Sequence, residues 1–304
     1  MKESDRGVLV LYYHRINSIQ DDPFELCVSE ENFDSQMKYI VEHYNVVKFT
    51  DCWNATSKGV VVTFDDGYAD NFEKAMPILE KYQIPFTVFV STGQLMNNGI
   101  MWWDELYELL VKQNRNEYIE ISDDIFGCSW KTNSYEHKLN CYYAIHKLMN
   151  HYISIEKKDE WLNQLRIQVG AEDYGKDYAM LTSMQLEELS KNDLVTIGGH
   201  TVSHMSLGKL PIDRQEIEIR ENLRMLEEII SEKITAFSYP FGREGVDMND
   251  YTLDLLKKYG IVKAATTSQR IWSLEGNEFL IPRCEVKNWT VKDFEKKIEG
   301  FWRN

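Results

Sequence analysis

Apolar residues along this chain follow two alternating patterns. Continuous runs at Val8–Tyr13, Val46–Phe49, Val60–Phe64, Phe86–Val90, Leu194–Ile197, Ala236–Tyr239 and Ile261–Thr266 have the length and β-branched content of strands covered on both faces. Between them, apolar positions recur at helical spacing. Ser29 is placed to cap a helix carrying Phe33, Met37, Ile40 and Val41, and further helices are predicted over Asn71–Tyr82, Thr182–Lys191, Ile212–Ser231, Asn249–Tyr259 and Thr290–Phe301. Thr182 and Gln185 have the spacing of a capping box, and Ile219, Leu223, Leu226 and Ile230 make one apolar face. Strand and helix in regular alternation predict a parallel α/β sheet, most simply a barrel or incomplete barrel.

One stretch departs from this rhythm. Over residues 94–180 the signals are almost all helical, at Trp102–Lys112, Ser134–Tyr152 and Glu156–Val169, with many aromatics and no proline. Barrel-type elements continue on both sides of it. The expected organisation is a single barrel domain over residues 1–304 carrying a helical insertion. No repeat of 20–50 residues is present.

Composition narrows the partners. The 304 residues suit one α/β barrel, which routinely needs ~250. A net charge of −15 repels phosphate backbones and anionic lipid, which argues against nucleic acid and bare membrane. The apolar run at Val8–Tyr13 stops at His14-Arg15, short of the ~7–15 residues of a secretory core, and no window reaches the ~18 of a membrane span. Five cysteines, an odd number without a C-x-x-C pair, read as free thiols in a reducing compartment. A cytoplasmic protein without integral membrane association is expected, or an extracytoplasmic one if a leader has been removed. The oligomeric state is left open.

Chemistry concentrates at two strand ends. Val60-Val61-Val62-Thr63-Phe64-Asp65-Asp66-Gly67-Tyr68 closes a buried strand with adjacent carboxylates and a turn-forming glycine. Two like charges at the mouth of a sheet need a cation or a proton, and the C-terminal ends of barrel strands are where catalytic groups sit. Taken alone, either aspartate would also serve as a cap for the helix beginning near Asp70. After Leu194–Ile197 comes Gly198-Gly199-His200-Thr201-Val202-Ser203-His204, whose two imidazoles can converge on one metal. Two histidines and one carboxylate suit zinc hydrolases and non-haem iron oxygenases alike. The second carboxylate favours hydrolysis, because a hydrolytic metal needs a base beside its water, and Asp65 is available.

These motifs resemble the polysaccharide deacetylases, carbohydrate esterase family 4 with the NodB-like fold. Thr63-Phe64-Asp65-Asp66-Gly67-Tyr68 is similar to the family's first motif, His200-Thr201-Val202-Ser203-His204 to its H-[ST]-x-x-H motif, and Ser238-Tyr239-Pro240-Phe241-Gly242 lies where the family has R-x-P-[YF]-G. The resemblance runs from about Val8 to Val286 and explains the insertion least. It implies a distorted (β/α) barrel and one divalent metal, usually zinc, with cobalt, nickel or iron as other occupants. It also implies hydrolysis of an N-acetyl group from an amino sugar in a glycan or saccharide precursor. By the same resemblance Asp65 is the base, Asp66, His200 and His204 are the ligands, and the backbone N–H near Phe241, with Tyr239 and Pro240 in the same turn, belongs to the oxyanion pocket.

The sequence departs from the family pattern twice. Ser238 stands where the motif has arginine, and no histidine follows His204 to supply the usual late acid. In the branch of poly-N-acetylglucosamine deacetylases an early Y-H motif supplies that histidine. Here Tyr13-His14 ends the first strand, which makes His14 the candidate acid, and Arg283 in Ile281-Pro282-Arg283 the candidate replacement for the missing arginine. Trp103 and Tyr68 are candidates for the sugar pocket, although a tryptophan at helical spacing more often belongs to a core and Tyr68 equally suits a turn. The acidic run Glu216–Glu228 reads as a solvated helix face. A deacylase acting on a non-sugar amide and a non-catalytic glycan-binding barrel are the alternatives; a pure binder has no need for Asp65 as base.

Overall fold

The computed structural model describes residues 7–19, 21–53, 58–95, 99–124, 126–151, 154–171, 175–273 and 276–303. Strand β1 (Val8–Tyr13) is followed by the short strands β2 (Arg15–Ile16) and β3 (Cys27–Val28), helix α1 (Glu30–His43), β4 (Asn45–Val46) and β5 (Gly59–Phe64). A wide π-helical turn over Asn71–Ala75 leads into α2 (Met76–Lys81) and then β6 (Phe86–Val90). The chain next builds α3 (Trp102–Tyr107), a second π-helical turn, the hairpin β7 (Tyr118–Ser122) and β8 (Gly127–Lys131), and helices α4 (Tyr135–His151) and α5 (Ile155–Val169). The strand–helix alternation then resumes with α6 (Ser183–Ser190), β9 (Val195–Gly199), α7 (Ile212–Ile230), β10 (Ala236–Ser238), α8 (Asp250–Lys258), β11 (Lys263–Ala265), β12 (Cys284–Glu285) and α9 (Val291–Arg303). Two compact units result, one from Met1–Asn97 with Met180–Asn304, the other from Asn98–Ala179.

In the first unit every ladder is parallel, in the order β11-β10-β9-β6-β5-β1-β12 with β4 beside β5, and the sheet curls into an incomplete barrel flanked by helices. Alternation along the strands separates two cores. Val8, Val10, Val61, Phe89, Ala236 and Ala265 point one way, onto Phe49, Trp53 and Trp272. Leu9, Leu11, Val60, Val62, Phe86 and Val88 point the other way, onto Phe33, Met37 and Ile40 of α1, Ile219, Leu223 and Leu226 of α7, and Phe294 and Ile298 of α9. Both faces are apolar, which is why these strands read as unbroken hydrophobic runs.

Ser29 caps α1 through the Asn32 N–H, and Thr182 with Gln185 forms the expected capping box on α6. Three expectations are corrected. The run Val46–Phe49 is strand only at its start, since after Val47 N–H donates to Val60 O (3.0 Å) the chain turns Phe49 inward. Val41 is 37% exposed, one position off the apolar stripe of α1. Within 94–180 the structure adds a β-hairpin to the helices. Ile119 and Ile121 alternate with exposed residues in β7, but β8 has almost no buried side and thus no apolar signal.

In the second unit α5 closes the outer edge of that hairpin. Gln168 accepts from Glu120 N–H (3.0 Å) and donates to Glu120 O (2.6 Å), and Gln164 does the same for Ser122 (3.1 and 2.8 Å). An open strand edge is a template for unwanted pairing, and here two amide side chains satisfy it.

Helix α7 fastens the barrel at its C-terminal end. Fully buried Asn222 donates to Val90 O (3.0 Å), Thr92 Oγ1 (3.2 Å) and Thr201 O (2.7 Å), and accepts from His200 N–H (3.0 Å). Asn222→Leu preserves volume but strands those groups without partners, at ~1–3 kcal/mol for a buried polar group. The variant is expected to lose about 3 kcal/mol, read as a lower urea midpoint with unchanged slope.

Candidate active site

His14, the Asp65–Asp66 pair, the His200–His204 loop and the Tyr239–Phe241 turn follow the C-terminal ends of β1, β5, β9 and β10, and Arg283 immediately precedes β12. Asp65 and Asp66 follow β5, where Asp66 (φ 73°) and Gly67 (φ 87°) are consecutive left-handed residues. A Cβ on Gly67 would lie 2.9 Å from Val90 Cγ1, so glycine meets both the conformational and the spatial requirement. Thr201 (φ 63°), His204 (φ 53°) and Phe241 (φ 63°) are also left-handed. Such backbone costs energy in a non-glycine residue and persists only where surrounding contacts impose it. Part of that constraint comes from α7. Glu218 accepts from the N–H groups of Val202 (3.0 Å) and Ser203 (2.9 Å) and from Ser203 Oγ (2.7 Å), and Asn222 holds the His200 N–H.

Asp66, His200 and His204 are buried together, with Asp66 Oδ1 3.4 Å from His200 Nε2 and 3.2 Å from His204 Nε2. Oδ1 receives no well-formed hydrogen bond despite its burial. Two donors bound at ~2.0–2.1 Å to one tetrahedral ion lie about 3.3 Å apart, so this spacing fits a shared cation. His200 Nδ1 lies 2.7 Å from Ser238 O, which can only accept, so Nδ1 carries the proton and Nε2 keeps its lone pair for the cluster. Burial works against the Asp66 carboxylate, but the two imidazoles outweigh it and hold Asp66 well below the usual range. The imidazoles themselves diverge. Burial alone would lower both; contact with Asp66 and the field of Asp65 carry His200 upward, while His204 stays lowered.

Asp65 is set apart by Arg283, which is fully buried just before β12. Its Nη1 and Nη2 each donate to one Asp65 oxygen at 2.7 Å, and it also donates to Ser238 Oγ (2.8 Å), Thr63 Oγ1 (3.2 Å) and Thr266 O (3.1 Å). The guanidinium lies over the Tyr12 ring at 4.7 Å. Burial pushes the Asp65 carboxyl up, but Arg283, with His200 second, more than reverses this and keeps it ionised. Ser238 is small where the family motif has arginine, and the guanidinium reaching it comes from the segment before β12.

His14 ends β1, half-buried, with its ring edge-on to Tyr12 at 5.6 Å. Its carbonyl accepts from Asn71 Nδ2 (2.9 Å), and the next residues are clamped by Asp70, which accepts from Arg15 Nε (3.2 Å) and Ile16 N–H (3.2 Å). After burial and their nearer partners, Asp65 and Asp66 both also feel the charge of His14. Phe241 packs its ring against His204 at 5.0 Å, and among the described residues its N–H donates to no other group. Tyr239 and Pro240 are buried beneath that turn, the Tyr239 hydroxyl donating to Phe279 O (3.0 Å).

Two candidates are packed inside. Tyr68 is fully buried under Arg15 (4.5 Å to the ring centre), so it supports the turn and does not line an open pocket. Trp103 lies in the second unit, 6% exposed and edge-on to Trp102 at 5.4 Å, which is core packing. Sequence reasoning missed Glu218 and Asn222 by assigning the acidic run to solvent. Both fall beside the apolar stripe of α7 at Ile219 and Leu223, and a polar residue at a core-facing position is the signal that would have marked them.

The sequence pattern of the family described as polysaccharide deacetylase matches residues 54–138 and 146–264. A poly-beta-1,6-N-acetyl-D-glucosamine N-deacetylase of Staphylococcus aureus is 20% identical over 99% of this chain and 86% of its own. Among solved structures, the Streptococcus pyogenes deacetylase PplD in complex with acetate superposes with a TM-score of 0.60 at 19% identity, covering 96% of this chain and 98% of that one. IcaB from Ammonifex degensii superposes at 0.61 with 18% identity and 98% coverage of both chains. With the family pattern matched over more than half its length, this chain belongs to the polysaccharide deacetylase family.

Proposed function

We propose that the protein hydrolyses N-acetyl groups from an N-acetylglucosamine-containing glycan at the Asp65–Asp66–His200–His204 site. The observation that carries this reading is the division of labour between the two adjacent aspartates. Asp66 shares its Oδ1 with two imidazole nitrogens, while Asp65 is held ionised by Arg283. Asp66, His200 and His204 would hold one divalent cation, most simply zinc given two imidazoles and a carboxylate. When bound, that cation supplies Lewis acidity toward water and the amide carbonyl.

The remaining steps fall to the chain itself. Asp65 accepts a proton from the attacking water as the water oxygen bonds to the carbonyl carbon. The Phe241 backbone N–H donates to the oxygen on which charge develops, a role supported by the packing of the Phe241 ring against His204. His14 gives its proton to the nitrogen as the C–N bond breaks, and acetate and a free amine leave. Five free cysteines favour a reducing compartment such as the cytoplasm, and among the described residues no helix is long and apolar enough to cross a membrane.

Acetate release from β-1,6- and β-1,4-linked N-acetylglucosamine oligomers tests the activity. Release from neither, by protein containing stoichiometric metal, would overturn the reading. His200→Ala and His204→Ala are each expected to abolish stoichiometric metal by elemental analysis; full occupancy in both would remove the cluster as the ligand set. For Arg283→Met the sign follows from Asp65. With the guanidinium gone, burial loses its main opponent and the carboxyl rises, so the acid limb of the kcat/KM profile moves to higher pH. An unmoved limb would mean that another group serves as the base. His14→Ala is expected to lower kcat by ~10²–10⁴ while metal content stays constant; near-normal turnover would place the acid elsewhere.

A further inference from the structure

One cavity of the barrel unit takes no part in this mechanism. Its volume is about 520 Å³, and its walls include Asn17, Asp22 and Glu25 on one side and Lys287, Asn288 and Trp289 on the other. The first wall follows barrel strand β1 by way of the short strand β2, which pairs with β3 outside the barrel sheet, and the second follows barrel strand β12, so both come after C-terminal strand ends. Asn17 is three residues past His14 and Lys287 four past Arg283. At no more than ~3.6 Å per residue, the walls begin within about 11 Å and 14 Å of those groups. A short run of sugar units bridges such a span.

The walls are tied down. Lys287 Nζ donates to Phe24 O (3.1 Å), Glu25 O (3.2 Å) and Glu285 Oε1 (2.8 Å), which uses its three protons and matches its charge. Asn288 Oδ1 accepts from Ser29 N–H (3.0 Å) and Asn32 Nδ2 (2.6 Å), and Gln36 Nε2 holds the Trp289 carbonyl (2.9 Å). Asp22 Oδ2 accepts from the Cys27 N–H (2.7 Å). Glu25 sits in the left-handed region at φ 54°, an unfavourable conformation for glutamate. Among the described residues neither Asp22 nor Glu25 makes an ion pair, so two carboxylate charges remain unmatched in a cavity whose cation is already neutralised.

We infer that this cavity receives a second unit of the same glycan, one whose amine is already free. The inference rests on the proposed deacetylase reading and deepens it. A half-buried indole suits the C–H face of a sugar ring, and amide and carboxylate groups suit its hydroxyls. The unmatched negative charge selects among sugars, because an N-acetylated unit is neutral while the amine left by hydrolysis is protonated near neutrality. The enzyme then binds its own partly processed product better than fresh substrate, and free amines accumulate in clusters along the polymer.

The test compares two β-1,6-linked pentamers, one fully N-acetylated and one with a single free amine. The wild-type protein is expected to favour the second by ~5–10-fold in kcat/KM at low salt, the effect of one or two exposed charge contacts, and to lose the preference at high salt. Asp22→Asn/Glu25→Gln should erase the preference, the larger fall in kcat/KM being for the pentamer that carries the free amine. Trp289→Ala should raise KM for both pentamers with kcat intact. Because Asp22 also holds the Cys27 N–H, Glu25→Gln alone serves as the structurally silent variant, with a smaller loss of preference. A wild-type enzyme indifferent to the free amine, or a preference that survives both charge variants, overturns the inference. Calorimetric binding of an all-glucosamine pentamer decides it separately from catalysis. Weakening by Glu25→Gln supports the cavity even if no pentamer is hydrolysed, in which case the deacetylase reading alone fails; binding that is absent or unaltered removes the cavity.

Discussion

The bidentate contact between Arg283 and Asp65 joins residues far apart in sequence at the centre of the barrel mouth. Both are buried, so the pair gains little net stability over an apolar substitute of equal shape, while removal of one partner leaves the other charged and unsolvated. Its value is geometric. A planar guanidinium fixes the orientation of the carboxylate facing it. The same group also reaches Ser238, whose carbonyl sets the proton position on His200, so the two halves of the site share one reference point.

That arrangement explains how a departure from the family motif is accommodated. An arginine at position 238 would have to share the space that Arg283 fills. With serine there, the guanidinium arrives from the strand on the far side of β1 and meets the same aspartate. Asp65 receives both its counter-charge and its hydrogen bonds from Arg283. A triad or a dyad is defined by where its atoms end up, and folding brings any strand end within reach of any other around a barrel mouth.

Much of this was legible in the sequence, for identifiable reasons. Strands covered on both faces announce themselves as unbroken apolar runs, and the motifs at Asp65-Asp66 and at His200 and His204 lie immediately after such runs. What escaped notice lacked that contrast. Strand β12 is two residues long, and β8 buries too little to show alternation. Glu218 and Asn222 were hidden among genuinely exposed acids, because a polar residue that serves the backbone of a loop looks, in sequence, like one that serves water. Tyr68 and Trp103 were candidates for a sugar pocket with turn and core as the alternatives, and both are buried. Residue type indicates what a side chain is able to do; the neighbours decide whether it is exposed to do it.

The glutamine pair on α5 has a metric consequence. Residues four apart on a helix rise ~6 Å, and residues two apart on a strand advance ~6.8 Å. The two rulers nearly agree, so a helix bearing amides at that interval can stand in for a neighbouring strand, with Gln168 and Gln164 opposite Glu120 and Ser122. The mismatch of ~0.8 Å accumulates with each further step, and a third amide would already be about 1.6 Å out of register. A helix can therefore imitate a strand only briefly, and β7, at five residues, is about as long as such a counterfeit can cover.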